Sequence, residues 1–423
     1  MVVALALIAS TAVLAGPAPA SANTPFAYVA SAGFDVVYVI DTTGSDTNVA
    51  TIPVGDGPNR VAVTPDGTHL YVPNYGTNTV SVIETATSSV VATITVGSQP
   101  FGVAVSPDGA HVYVTNRGDS PGTVAVIETA TNSVVATIPV GGVPIASSSY
   151  PTGLAVSPNG AYVYVTNTCL DTVDVIATAT NTVVATIPVG ASPWQPAVTP
   201  DGAYVYVTNV GSNTVSVIAT ATNTVTDTIA VTGRPYGVAL TPDGSHVYVP
   251  TTDADTVAVI DTATNTVVKT IGLGADGSDV AVTPDGTQVY VTSASAWYWV
   301  IDTSTNTIVE TYTVPGGAYG VAFPPPPPTG PLDCATAVPT IVGTDGADTL
   351  TGTAGPDVIF GRGGDDTIRA GGGDDLVCGE AGNGSLYGEA GNGSLSGGTG
   401  RDFCSGGRAT DTATTCEAHR SVP

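Results

Sequence analysis

Charge is scarce in this chain. Only 10% of its 423 residues are Asp, Glu, Lys or Arg, and of these 35 are acidic and 9 basic, a formal charge of −26. Such a surface repels phosphate backbones and anionic lipid, which excludes nucleic-acid binding and leaves multivalent cations as natural partners. No long Leu/Glu/Lys-rich stretch at helical spacing is present. Val, Thr, Ala and Gly dominate instead, and β-branched Val and Thr favour strands, so the composition supports only an all-β chain. Cysteine is almost missing before residue 330: Cys169 stands alone there, and Cys334, Cys378, Cys404 and Cys416 follow. Long apolar runs are confined to Val2–Leu14, too short to span a bilayer and followed by Gly16, Pro17 and Pro19. With Ala20-Ser21-Ala22 as a small-x-small cleavage site, residues 1–22 read as a signal peptide, although no Lys or Arg precedes the apolar run. A membrane anchor is the weaker alternative, and the mature protein is expected to have no membrane span.

What is abundant is repetition. Tyr-Val-Thr-Asn stands at Tyr113, Tyr164 and Tyr206, with altered copies at Tyr28, Tyr71, Tyr248 and Tyr290, spaced 43, 42, 51, 42, 42 and 42 residues. One unit reads as four strands: Phe101–Ser106, His111–Thr115, Thr123–Ile127 and Ser133–Val140. Between the first two lies Pro107-Asp108-Gly109, a turn repeated at Pro65, Pro158 (with Asn159), Pro200, Pro242 and Pro284. There Pro presets φ, Asp caps and Gly takes the positive φ. Four strands in about 42 residues is the period of a propeller blade, and seven blades can close a ring. The array enters at a second strand, Tyr28, and leaves at an orphan first strand, Tyr319–Phe323. Pairing these two would complete a mixed blade and remove both open edges.

These residues resemble the YVTN-family β-propellers of secreted and cell-surface bacterial and archaeal proteins, across about 26–323. That family includes surface-layer and binding proteins, and related seven-bladed folds include lactonases and redox enzymes, so the resemblance implies the ring rather than one activity.

In such a blade the fourth-to-first and second-to-third connections emerge on one face. The extra length between Tyr113 and Tyr164 falls in Arg117–Gly122 and Gly141–Tyr150, both on that face. The residues leading into each innermost strand also lie there: Asn59, Phe101, Thr152, Trp194, Tyr236, Ser278 and Tyr319, then Arg60, Gly102, Gly153, Gln195, Gly237, Asp279 and Gly320. Arg60, Phe101, Trp194, Gln195, Tyr236, Asp279 and Tyr319 are the candidate ligand face. Aromatic surfaces with a few polar groups suit a glycan or a small molecule, and a protein partner is also compatible. The alternative is that the aromatics simply pack between blades. Lactonase chemistry would need convergent acids, bases or metal ligands, for which Arg60 and Asp279 are the candidates. His69, His111 and His246 occupy equivalent positions in separate blades and so point around the ring rather than to one site. Arg117-Gly118-Asp119 resembles an integrin-recognition tripeptide in an inserted, exposed loop; an ordinary charged hairpin is the alternative. Cys169 has no neighbouring base and reads as a half-buried structural thiol.

Pro324–Pro328 favours polyproline II and reads as a stiff spacer within 324–332. From Gly343 the period becomes nine, with Gly at position 4, Asp at position 6 and an apolar residue at position 8: Leu350, Ile359, Ile368, Val377, Leu386 and Leu395. The pattern resembles the hemolysin-type (RTX) calcium-binding nonapeptide, which implies a C-terminal parallel β-roll with two units per coil. Asp348, Asp357, Asp366, Asp375, Asp402 and Asp411 occupy position 6, whereas Gly384 and Gly393 replace it in two units. Same-side stacking leaves two complete carboxylate pairs, Asp348 with Asp366 and Asp357 with Asp375, as the candidate calcium ligands. Later turns depart from the pattern. Binding and folding are expected to be coupled, because stacked carboxylates repel without the ion.

Four cysteines bracket the roll and allow three pairings. Cys404–Cys416 would close a short loop, and Cys334–Cys378 would then pin the entry segment; thiolate-held metal is the alternative. The reading is therefore a signal peptide (1–22), a propeller (23–323), a spacer (324–332) and a calcium-binding roll (333–423). Together they make an exported binding scaffold, secreted or at the cell surface, with a lactonase-type hydrolase as runner-up.

Overall fold

The structure, a computed structural model, describes residues 26–42, 47–142, 149–324, 334, 341–353, 357–373, 375–391, 393–406, 412–416 and 418–420. The signal segment, most of the spacer and Asp411 lie outside these residues. The chain divides into two compact units on either side of residues 325 and 326.

The first unit contains seven four-stranded antiparallel sheets and no helix among the described residues. In the third, for instance, Pro100–Val105, His111–Asn116, Thr123–Glu128 and Ser133–Pro139 pair in chain order. The sheet called blade 1 here is the exception. Its innermost strand is Gly320–Ala322, paired antiparallel with Phe26–Ser31 through Tyr28–Ala322, Val29–Val321 and Ala30–Gly320. The orphan segment of the array does complete the incomplete blade, with Tyr319 just outside the strand and its amide donating to the Ala30 carbonyl at 3.0 Å.

Seven apolar clusters hold the blades together, each shared by two neighbours. One joins Phe26, Tyr28 and Val39 of blade 1 to Leu70 and Ile83 of blade 2, and another joins Val29 and Ile40 of blade 1 to Tyr290 and Val300 of blade 7. The remaining five link blades 2 to 7 in order, so the ring is closed by packing as well as by strand pairing. This sandwiching explains the local sequences. Second and third strands are buried on both faces and therefore read as near-continuous runs such as His-Val-Tyr-Val-Thr-Asn. Fourth strands are largely exposed.

Every blade carries an irregularity in the same place, between its third and fourth strands, and blades 3, 4 and 5 carry a second between their first and second strands. In blade 3, Val126 pairs with Ala136 and Ile127 with Val134, leaving Val135 as the extra residue. That bulge turns Val135 outward at 51% exposure, and Val49, Val91, Val184, Val268 and Val309 are its exposed counterparts. The bulges twist and blunt each outer strand.

The second unit is a roll of two- and three-residue strands in two five-stranded parallel sheets. Thr349 pairs with Thr367 and Thr367 with Ser385, a shift of two nonapeptides. Ile359, Ile368, Val377, Leu386, Leu395 and Cys404 fill its narrow core, with Leu350 packed at the edge. Disulfides join Cys334 to Cys378 and Cys404 to Cys416, with Cα separations of 5.8 and 6.0 Å.

Candidate calcium sites and the propeller face

In the roll, each position-6 carboxylate is placed by the turn before its short strand. Its Oδ1 accepts the position-6 amide two units earlier: Asp366 from Asp348 N at 2.9 Å, Asp375 from Asp357 N at 2.8 Å, and Asp402 from Gly384 N at 2.7 Å. The stacked pairs expected from the sequence are thus adjacent. Asp402 takes the same pose even where its stacking partner is glycine.

The second carboxylate oxygen faces the start of its own unit. Asp348 Oδ2 accepts from Thr344 N (2.5 Å) and Oγ1 (2.9 Å), and Asp357 Oδ2 accepts from Thr353 N (2.5 Å) and Oγ1 (3.0 Å). Asp366 is 2% exposed, and its Oδ2 is buried with no hydrogen-bond partner. Burial pushes its carboxyl above the usual carboxylate range, and the charges of Asp348 and Asp365 push the same way against the Asp348 amide. Asp348 lies below that range because the amide and hydroxyl of Thr344 stabilise its charge.

Backbone oxygens complete the arrangement. A Cβ on Gly343 would stand 2.6 Å from the Gly361 carbonyl oxygen and 2.9 Å from Asp348 Oδ2. On Gly397 it would stand 2.6 Å from the Thr415 oxygen and 2.8 Å from Asp402 Oδ2. Gly352 is flanked in the same way by Ala370 O and Asp357 Oδ2, and Gly361 by Gly379 O and Asp366 Oδ2. Only glycine leaves this space between two oxygens. Among the described residues no three Asp, Glu, His or Cys side chains converge. A cation here would be held by carboxylate and carbonyl oxygens together, the donor set that suits calcium.

On the propeller, the Thr of the repeated motif fixes the mouth. Thr115, Thr166 and Thr208 donate at 2.8 Å each to the backbone oxygens of Thr152, Trp194 and Tyr236 in the following blade. Phe101 and Trp194 then meet edge to face at 5.6 Å, over the small Thr152 between them, and Trp194 meets Tyr236 at 5.0 Å. Gln195 lies beside them, its Oε1 over Gly153. Tyr319, half-buried, makes no ring contact with this set. Opposite lies a polar sector, where buried Arg60 and Asp279 form an ion pair across blade 1. Gly320 permits it: a Cβ there would sit 2.8 Å from Arg60 Cα.

Arg117 corrects the tripeptide expectation. It is half-buried, with its guanidinium 4.7 Å from the Phe101 ring centre and 5.4 Å from those of Tyr150 and Trp194. Asp119 accepts from Ser98 N at 2.8 Å and from Thr123 Oγ1 at 2.5 Å. Arg117 is thus turned onto rings and Asp119 is hydrogen-bonded within the chain, so the two do not stand out together as an exposed charged pair. Cys169 is exposed rather than half-buried, because the turn after Asn167 projects it outward. His69, His111 and His246 stay in separate blades.

Arg234, 5.6 Å from the Tyr236 ring centre, is a face residue the sequence reading passed over, and Arg117 and Tyr150, whose loops it placed on this face, were not read as part of the aromatic set. A signal existed: three of the four Lys and Arg residues in 26–323 are arginines in connections on this one face (Arg60, Arg117, Arg234; the fourth is Lys269).

Three family models match: the RTX calcium-binding nonapeptide repeat over 342–377 and 379–413, a seven-bladed lactonase-type propeller over 18–186, and a YNCE-like propeller over 197–302. Among solved structures, a functionally unknown protein from Desulfotomaculum acetoxidans is similar at 21% identity and TM-score 0.62, over 71% of this chain and 99% of that one. Hydrazine synthase of Kuenenia stuttgartiensis matches at 21% identity and TM-score 0.52 over 73% and 99%. The dihydro-heme d1 dehydrogenase NirN matches at 18% and 0.54 over 70% and 74%. At these identities the likeness is one of fold. No curated protein sequence matches the chain.

Proposed function

We propose that this seven-bladed propeller with RTX-type repeats is an exported calcium-binding protein whose ring presents a recognition face outside the cell or at its surface. The observation that carries the calcium half is the recurring cradle of one carboxylate oxygen and one carbonyl oxygen, with the unpartnered Oδ2 of Asp366 at its centre. Asp348, Asp357, Asp366 and Asp375 are the carboxylates assigned to the ion, with Asp402 in the same pose. Calcium bound there supplies positive charge among buried carboxylates, and the roll's own residues do the rest. Glycines leave room for the ion, carbonyls complete the oxygen shell, and the apolar row holds the coil beneath it.

Export is supported by two disulfides, which persist in oxidising compartments, and by the apolar N-terminal sequence. No helix among the described residues is long and apolar enough to cross a membrane. Recognition is supported by the aromatic sector of the face, which suits a glycan, a small molecule or a protein edge.

Calorimetric titration of the full chain with calcium chloride tests the assignment. Asp366→Asn and Asp375→Asn are each expected to weaken binding by about tenfold or more. Unchanged affinity in both variants would refute these ligands. The second reading is a hydrolase of lactonase type, favoured by the family match over 18–186 and by the Arg60–Asp279 pair at the mouth. Lactone hydrolysis by the full chain that vanishes in Arg60→Gln would establish it over the first.

A further inference from the structure

The chain is acidic, with 35 Asp and Glu against 9 Lys and Arg, so an arginine has many carboxylates to pair with. On the propeller face, Arg60 has done so with Asp279. Arg117 and Arg234 form no ion pair among the described residues, and Arg117 Nε is buried without a hydrogen-bond partner. Both guanidinium groups lie over rings instead, and the rings touch one another. The row runs Arg117, Phe101, Trp194, Tyr236, Arg234, from blade 3 to blade 6.

A purely structural role accounts for part of this. Half-buried Arg117 fills the space between Phe101, Tyr150 and Trp194. It does not account for Arg234, which is exposed and reaches the far end of the same row. Stacking also holds a guanidinium plane fixed while its N–H edge stays available, the preorganised form in which arginine takes a carboxylate bidentately.

We infer that this row is a binding site for an organic carboxylate carried on a ring, whose ring lies against Trp194 and Tyr236 while Arg117 and Arg234, at the two ends of the row, together supply the positive charge that draws in and holds the acid group. The inference rests on the recognition reading of the face and narrows it. Two sources offer that chemistry: uronic acid units of an acidic glycan, and small aromatic acids. Long-range repulsion from the −26 charge disfavours polyanions with dense phosphate. A ring bearing one carboxylate gains from stacking as well as from charge.

The test uses the full chain with calcium, titrated by calorimetry and by tryptophan emission with trigalacturonate, its neutral galactose counterpart and 4-hydroxybenzoate. At least one acid is expected to bind saturably, the neutral trisaccharide at least about tenfold more weakly, and Arg117→Gln and Arg234→Gln are each expected to lose about tenfold. The acid that binds more tightly identifies the source. Arg234 is exposed, so Arg234→Gln keeps the test alive should Arg117→Gln fold poorly. Equal binding of the neutral and acidic trisaccharides, or unaltered binding in both arginine variants, would overturn the carboxylate assignment. Neutral binding abolished by Trp194→Ala would leave the recognition face standing. No binding of either acid overturns the inference.

Discussion

The Tyr206 hydroxyl crosses a blade boundary to donate to Asn265 Oδ1 at 2.7 Å, and Tyr71 and Tyr248 do the same to Asn132 and Asn306 at 3.0 and 2.7 Å. Burial pushes these three hydroxyls up to about 12, so each remains a donor at any physiological pH. The acceptors sit in outer hairpins with positive φ, 49° at Asn132 and 52° at Asn265 and Asn306. Asn tolerates that conformation better than most residues, and its side chain is then free to meet the next blade. Tyr206→Phe removes only the bond and is expected to cost about 1 kcal/mol, because Asn265 regains water. Tyr206→Ala also empties a fully buried site and is expected to cost about 3–5 kcal/mol. Urea denaturation of the two variants checks the order; equal losses would mean the hydroxyl bond carries the whole effect. The tyrosine was plain in the sequence as the head of the repeated motif. Its acceptor was not, since the bond spans 59 residues and two blades.

Turns show a similar division between what recurs and what it contacts. Asp108, Asp201 and Asp243 each accept a Ser or Thr hydroxyl (2.5, 2.6 and 2.6 Å) and a backbone amide two residues on (3.0, 2.9 and 3.0 Å). The hydroxyl bonds, then the amides, hold these carboxyls below the usual range. A lowered folded value means stability that is full above the ordinary carboxylate pKa of about 3.9 and is lost as pH falls through the folded value. Blade 4 supplies an internal control: Asn159 makes the same bonds, from Ser157 Oγ at 2.8 Å and Ala161 N at 3.0 Å, and cannot titrate. The double variant Asp201→Asn, Asp243→Asn should therefore melt slightly below wild type at pH 7 and close that gap below about pH 4. Melting curves from pH 7 to pH 2 measure it, and a gap that stays constant would refute the linkage. These turns were legible because Pro, Asp and Gly each have a local reason to be there. The bulges were not, although Val134-Val135 and its counterparts break the alternation of an exposed strand. A pair of valines has the same local meaning in a buried strand, and only the pairing partner tells them apart.

At the scale of the molecule, counting strand types located the closure, since an entry lacking a first strand and an exit offering one have a single way to remove both edges. The mouth was half legible. Its ring of positions follows from the repeat, whereas Arg117 and Arg234 reach it from loops whose paths depend on neighbouring blades. The two units also differ in what holds them. Seven shared apolar clusters close the ring, whereas one thin row supports the roll, which buries Asp357, Asp366, Asp375 and Asp402 beside it. On the proposed assignment, removing calcium would leave those charges uncompensated in the roll. All three tryptophans, Trp194, Trp297 and Trp299, lie in the ring, so their emission reports the propeller while hydrogen exchange of 341–406 reports the roll. Chelation of the full chain is expected to erase amide protection in 341–406 by about tenfold or more, least around Cys378 and Cys404 where the disulfides restrain the chain, with tryptophan emission unchanged. Protection that survives chelation would mean the coil stands on its apolar row and disulfides, and that the stacked aspartates do not govern its folding.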